Sequence, residues 1–257
     1  MTQFQPDDLT QNGFLGGRIQ LWQPRNGYRA GVDPVLLAAA VPAKAGQSVL
    51  ELGCGAGAAI LALHGRVSGL HLQGVELQPA YADLGQRNGA ENDTDLTVTC
   101  CDLTSLPPEL RQMQFDHVIA NPPYYRAGAH SGAVDAGRRT ALGEQTPLAL
   151  WVEVAARRLA PKGYLHMIQR TDRLPEILMA CEGHLGSVEV LPLCARVGRA
   201  SDLVILRARK GGKAAFRLHA PLILHEGARH EKDGESYRAE IRSILRDGAA
   251  MPWPDAE

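Results

Sequence analysis

The chain has 257 residues, a length that suits one large α/β domain or one domain with appendages. Hydrophobic residues make up 45% of it, enough to bury a sizeable core without disulfides or a structural metal. With 27 Lys and Arg against 28 Asp and Glu the net charge is −1, which excludes a globally basic nucleic-acid coat protein and leaves room for a local basic face.

Five cysteines (Cys54, Cys100, Cys101, Cys181 and Cys194) form no Cys-x-x-Cys pair. An odd count without that spacing points to reduced thiols, not to a disulfide framework or a zinc site, so no metal is expected. The stretch Met1–Thr10 is polar and acidic, unlike a signal peptide. No apolar run approaches the roughly 20 residues of a membrane helix. The expectation is a soluble cytoplasmic protein without a membrane partner.

Taken in chain order, Asp33-Pro34 ahead of Val35–Val41 reads as a capped helix. Ser48–Gly53 reads as a strand, Ala58–Val67 as a helix and Leu70–Glu76 as the next strand. Pro79 opens a helix at a position where its missing N–H does no harm. Leu96–Cys101 and Phe115–Asn121 are further strands, and Glu144–Ala160 is a long helix with Ala160-Pro161-Lys162-Gly163 as its stop. Tyr164–Gln169, Val188–Leu193 and Leu203–Arg209 complete the strand set, and Glu235–Asp247 reads as a short amphipathic helix. The alternation predicts a mostly parallel sheet with helices on both faces. Cys194–Ser201 is too short for a crossover helix, so the last two long strands should pair antiparallel. Tyr125–Gly143, rich in Gly, Ala and Arg, reads as a loop that moves before substrate arrives.

Two strand ends carry chemistry. Val49–Gly57 is a strand running into a glycine turn and a helix, where Gly53, Gly55 and Gly57 let backbone approach a ligand. Taken alone, the turn reads equally well as plain turn chemistry. Glu51 ahead of it would repel a pyrophosphate and suits a cationic ligand bearing an amino group and a sulfonium. Together with the spacing, which departs from the dinucleotide fingerprint, this disfavours a nicotinamide dehydrogenase. Glu76, at the end of the next strand, can accept both hydroxyls of a ribose. Asp102 can accept from an adenine amino group or simply cap Leu103–Ser105. At the second strand end, Asn121-Pro122-Pro123-Tyr124 halts a buried strand, because two prolines donate no ladder hydrogen bonds. An amide, a rigid turn and an aromatic ring there suit capture of a planar NH2 group. By itself Asn121 could equally be an Asx-turn residue.

Glu51–Gly57, Glu76, Asp102 and Asn121–Tyr124 resemble, in order and spacing over residues 28–210, the motifs of S-adenosylmethionine-dependent amino methyltransferases. More narrowly, Gly27–Ala38 resembles the amino-terminal signature of the bacterial tRNA adenine-N6 methyltransferases that modify the purine beside the anticodon of a valine tRNA. Asn121–Tyr125, Leu222–Glu226 and Tyr237–Gly248 fit the same group. The resemblance implies a Rossmann-like class I methyltransferase fold, α/β, with a seven-stranded mostly parallel sheet, its last strand antiparallel, and helices on both faces. It implies residues 1–47 as a segment capping the cofactor site, 48–215 as the methyltransferase domain and 216–257 as a tail with a short helix. By position, Arg29 and Asp33 would sit over the methionine part of S-adenosylmethionine, with Glu51 and the three glycines beside its amino-acid and nucleoside portions. Glu76 would hold the ribose, Asp102 the adenine, and Asn121 would face both cofactor and acceptor.

The implied chemistry is methyl transfer to the N6 amino group of a tRNA adenine. The Asn121 side-chain oxygen and the Pro122 carbonyl would accept its two N–H groups, and Tyr124 would stack on the base. Tyr125 is either a second stacking residue or loop packing. Arg138, Arg139, Arg196 and Arg199 are either phosphate contacts or a solvated surface. The alternatives are a protein glutamine N5-methyltransferase, which shares the tetrapeptide but carries a helical domain ahead of the glycine motif, and a non-catalytic module that binds S-adenosylmethionine and RNA.

Overall fold

The computed structural model describes residues 3–126, 143–144, 146–227, 236–251 and 253–254. The chain opens with a hairpin of β1 (Leu9–Phe14) and β2 (Ile19–Pro24), followed by α1 (Asp33–Ala39). Strand–helix units come next: β3 (Ser48–Leu52), α2 (Ala58–Arg66), β4 (His71–Glu76), α3 (Pro79–Glu91) and β5 (Leu96–Cys100). They continue through α4 (Pro108–Gln112) to β6 (Phe115–Ala120), then the short β7 (Tyr125–Arg126) and β8 (Gly143–Glu144). The chain continues with α5 (Leu148–Arg158), β9 (Leu159–Arg170), α6 (Leu174–Cys181), β10 (Gly186–Cys194) and β11 (Ser201–Arg209). Two-residue strands β12 (Arg217–Leu218) and β13 (Leu222–Ile223) precede α7 (Ala239–Asp247).

The main sheet runs β12-β10-β11-β9-β6-β3-β4-β5, with β13 also paired to β10. Strand β11 is antiparallel to both of its neighbours, and all the other pairings in this sheet are parallel. Seven long strands therefore form the expected mostly parallel sheet, with the last long strand inserted in the opposite sense. The two short strands widen it at the β10 edge. Strand β3 pairs with β4 on one side and β6 on the other, so the chain reverses its direction of winding between β3 and β6. Open α/β sheets bind ligands at the carboxyl ends of the strands flanking such a point.

Both sheet faces are buried. Val49, Ile119, Ile168 and Ile205 pack under α1, α2, α7 and the β1–β2 hairpin. Leu50, Val118, Met167 and Leu206 pack on the opposite face under α5 and α6. Residues from both ends of the chain, among them Leu15, Leu21, Ile241, Ile244 and Trp253, share the first of these cores. No helix among the described residues is long and apolar enough to cross a membrane.

Several expected boundaries shift for identifiable reasons. Asp33 does not cap α1: Val32 holds the N-cap position without a side-chain bond, and Asp33 is the first helical residue. The long helix starts at Leu148 because Pro147 stands at its N-cap, and Glu144 lies in β8. Ala160–Gly163 lies inside β9, where the register to β6 slips between Phe115 and His117. A Cβ on Gly163 would come within 2.9 Å of the Asp116 carbonyl, so glycine is required for that close approach. The hairpin β1–β2, helix α6 and strands β12 and β13 were not expected from the sequence. Most of the Tyr125–Gly143 loop lies outside the described residues.

Candidate active site

The carboxyl ends of β3, β4 and β6 frame a cavity of about 160 Å³. Glu51, Gly53, Gly55, Glu76, Asp102, Asn121, Pro122 and Tyr124 all line it, joined by Gln23, Tyr28, Tyr81 and Trp151. The glycine turn follows β3 because Gly53, Gly55 and Gly57 all take left-handed backbone, with φ of 64°, 54° and 85°. Gly53 is doubly constrained, since a Cβ there would lie 2.5 Å from the Trp151 ring. A Cβ on Gly55 would meet nothing within 4 Å, which leaves its backbone open to the cavity. Gly57 does not line the cavity; it is the N-cap of α2.

Glu51 and Glu76 are buried, at 3% and 7% exposure. One Glu51 oxygen, Oε2, accepts from the Ile60 backbone N–H at 2.9 Å, answering an otherwise unpaired donor in the first turn of α2. Glu76 accepts from the Gly55 N–H at 2.9 Å and from the Gln78 N–H at 2.8 Å. Burial pushes the Glu51 carboxyl up to about 8, opposed by the Ile60 hydrogen bond and reinforced by Glu76. Burial likewise raises Glu76. Asp102 accepts from Thr104 N–H and Oγ–H, both at 2.8 Å through Oδ1, so it caps the turn at Leu103–Ser105 while lining the cavity. Cys54 is a packing residue whose thiol fills the space that Gly74 leaves open. Burial holds that thiol well above the usual range.

At the end of β6 the Asn121 side chain lines the cavity and makes no hydrogen bond within the described residues. Tyr124 donates its hydroxyl to Asp33 Oδ2 at 2.6 Å. Burial, followed by the Asp33 charge and this bond, keeps the Tyr124 hydroxyl protonated far above neutrality. Asp33 thus meets the Asn-Pro-Pro-Tyr element from α1 and does not line the cavity. Arg29 does not line it either. Its guanidinium donates to Thr10 Oγ1 at 2.7 Å, Pro24 O at 2.8 Å and Asn12 Oδ1 at 2.7 Å, tying the linker to the hairpin. Arg196 reaches the Glu226 carbonyl and donates to Ser236 Oγ at 2.9 Å, while Arg199 is exposed in the β10–β11 turn. Arg138, Arg139 and the Tyr125 side chain lie outside the described residues.

The methyltransferase small domain family model matches residues 30–192. The chain belongs to that family. It is 28% identical over 207 residues to a tRNA1(Val) (adenine(37)-N6)-methyltransferase of Actinobacillus succinogenes, covering 79% of this chain and 85% of that one. The enzyme of the same name from Porphyromonas gingivalis is 31% identical over 173 residues, covering 64% and 67%. Among solved structures, a predicted O-methyltransferase from Agrobacterium tumefaciens superposes with a TM-score of 0.70 at 25% identity, over 85% of this chain and 98% of that one.

This methyltransferase depends on S-adenosylmethionine. The cavity fits that group: two buried carboxylates face a space where Gly55 leaves room for a ligand, and a cation with an amino group and a ribose needs acceptors of this kind. Among the described residues no cluster of His, Cys, Asp and Glu could hold a metal. Sequence reasoning missed Trp151, Gln23 and Tyr81. Tyr28 lay inside the Gly27–Ala38 signature, but nothing in the pattern of α5 marks Trp151, which reaches the site only through helix–sheet packing.

Proposed function

We propose that this methyltransferase transfers the methyl group of S-adenosylmethionine to the exocyclic N6 amino group of an adenine in tRNA. The observation that carries this reading is that Asn121, whose amide makes no hydrogen bond among the described residues, and Pro122 line the same cavity as Glu51 and Glu76. Two acceptors at one strand end suit a donor with two N–H bonds; a hydroxyl has only one to give. The names of the adenine-N6 relatives support the tRNA acceptor.

S-adenosylmethionine supplies an electrophilic methyl group. The N6 lone pair of adenine is delocalised into the ring, so the nitrogen is a poor nucleophile. Asn121 Oδ1 and the Pro122 carbonyl draw on its two N–H bonds, favour a more tetrahedral nitrogen and stabilise the positive charge that grows on it. The nitrogen–carbon bond forms as the carbon–sulfur bond breaks, with the electron pair staying on sulfur. The surplus proton on the methylated nitrogen would then be lost to solvent. Tyr124 offers its ring face to the base, a contact worth about 1–3 kcal/mol in nucleic-acid sites, and Asp33 fixes that ring through the hydroxyl. The adenine must be unstacked to enter.

Methyl transfer from labelled cofactor to total RNA, DNA and protein, followed by nucleoside analysis, tests the proposal. Label is expected in N6-methyladenosine of small RNA; label in protein glutamine would overturn it. Asn121→Ala is expected to lower turnover by at least about 100-fold while keeping cofactor affinity within several-fold. Loss of both together would make Asn121 a structural residue.

A further inference from the structure

Gln169 stands at the carboxyl end of β9, the strand beside β6, and is completely buried. Its side-chain nitrogen donates to the Pro122 carbonyl at 3.3 Å and to the Pro123 carbonyl at 3.2 Å. Its side-chain oxygen accepts from the Arg170 backbone N–H at 2.8 Å. That third bond fixes which way the amide faces: turned over, it would place an oxygen against two carbonyls and an NH2 against an N–H. Both amide hydrogens therefore go to successive peptide oxygens of the Asn-Pro-Pro-Tyr element.

We infer that Gln169 is a positioning residue for methyl transfer, a two-pronged clamp that sets the direction of the Pro122 carbonyl. The inference rests on the reading of that carbonyl as an acceptor for the substrate amino group. A backbone carbonyl has two lone pairs. Gln169 takes one on Pro122 and leaves the other for the substrate. Proline at 122 and 123 removes two N–H groups that could otherwise anchor this turn, so little but the carbonyls is left to hold it by. Fixing the peptide planes on either side of Pro123 orients the Pro122 oxygen and, through the chain, the attachment of the Tyr124 ring. An acceptor displaced by about 1 Å costs up to about 100-fold in rate, so the clamp acts on turnover and not on cofactor binding, which relies on Glu51, Glu76 and the glycine turn.

The test compares wild type, Gln169→Leu and Gln169→Glu, with kcat normalised to cofactor-binding sites counted by calorimetry. Gln169→Leu is expected to lower kcat about 10- to 100-fold with cofactor Kd within about threefold. Gln169→Glu keeps the size but, when ionised, offers no donor and sets a negative oxygen against two carbonyls. Burial raises the pKa of the introduced carboxyl, and its protonated form regains one O–H donor. The deficit of Gln169→Glu relative to wild type is therefore expected to shrink as pH falls, a profile that a space-filling role does not produce. Wild-type kcat per site in both variants would overturn the clamp. So would kcat and cofactor affinity falling together in both with a pH-independent deficit. If Gln169→Leu does not fold, the pH profile of Gln169→Glu decides alone. Should wild type label an acceptor other than RNA adenine, the adenine reading fails and the clamp is judged on that acceptor's kcat.

Discussion

Glu51 answers a helix N-terminus with one oxygen and lines the cavity with the rest of its carboxylate. Burial lifts its pKa in the folded chain to about 8, from the ordinary glutamate value of 4.5. Between those values the unfolded chain has given up a proton that the folded, unliganded chain still holds. Its contribution to stability is thus full below about 4.5 and is lost as pH rises through about 8. Glu51→Gln should match the wild-type melting temperature near pH 5 and exceed it near pH 8.5 by thermal denaturation without cofactor; a difference that stays constant with pH would sink this assignment. Cofactor binding at pH 7 should release a proton from the wild type and not from Glu51→Gln, measured calorimetrically in buffers of different ionisation enthalpy. Glu51, Glu76 and Asn121 were legible in the sequence because each sits within a residue or two of a strand end, where turn chemistry fixes its position. Trp151 and Gln169 were not, because their approach to the site depends on how α5 and β9 pack. Asp33 was expected over the methionine part of the cofactor; the structure gives it the Tyr124 hydroxyl, outside the cavity lining.

Helix α3 recruits the amino-terminal hairpin by imitating a strand. Asn88 accepts from Trp22 N–H at 2.8 Å and donates to Trp22 O at 3.0 Å. Asn92, one turn later, treats Gln20 the same way, with both bonds at 2.8 Å. The spacing of four on the helix matches the spacing of two on the strand, so the unpaired edge of β2 is satisfied by side chains. Asn88 also donates to Ala56 O at 2.9 Å, linking the hairpin to the glycine turn. Asn88→Ala strands these buried groups and is expected to cost about 2–4 kcal/mol by urea denaturation, with weaker cofactor binding. A loss under about 0.5 kcal/mol would show that water replaces the amide. The parallel strands were legible because their apolar runs are continuous and bounded by glycine or proline. The hairpin was not: Asn12-Gly13 reads as a turn but lies within β1, which buries only Leu9. Its anchorage comes from the Ile19 and Leu21 face of β2 together with the α3 asparagines, not from β1.

At the scale of the whole molecule, winding outward in both directions from β3 opens the cavity between β3 and β6, and a core on each face holds the strand ends in place. Helix α1 belongs to this frame. Its Leu36, Leu37 and Ala38 carbonyls are answered by the N–H groups of Ala40 and Val41, but the carbonyls at and just past its end draw on distant partners: Val41, with Ala38, on Arg66, Ala39 on the Met251 N–H at 2.8 Å, and Ala40 on the Trp253 indole N–H at 2.8 Å. Trp253→Phe keeps an aromatic ring and removes that donor, and is expected to cost about 1–2 kcal/mol in thermal or urea unfolding while leaving cofactor affinity unchanged, because the cavity lies at the other end of α1. A variant as stable as wild type would show the bond to be dispensable. The separation in sequence matters as much as the bond. Trp253 and Ala40 are 213 residues apart, and a chain leaving the ribosome is made from its amino terminus. Helix α1 is therefore synthesised early, but the Ala39 and Ala40 carbonyls at its end wait for Met251 and Trp253, and its first residue is the Asp33 that holds Tyr124. The carboxyl-terminal end of α1 is therefore closed late, by contacts that cross most of the sequence, whereas the Asp33–Tyr124 contact at its other end joins residues made well before them.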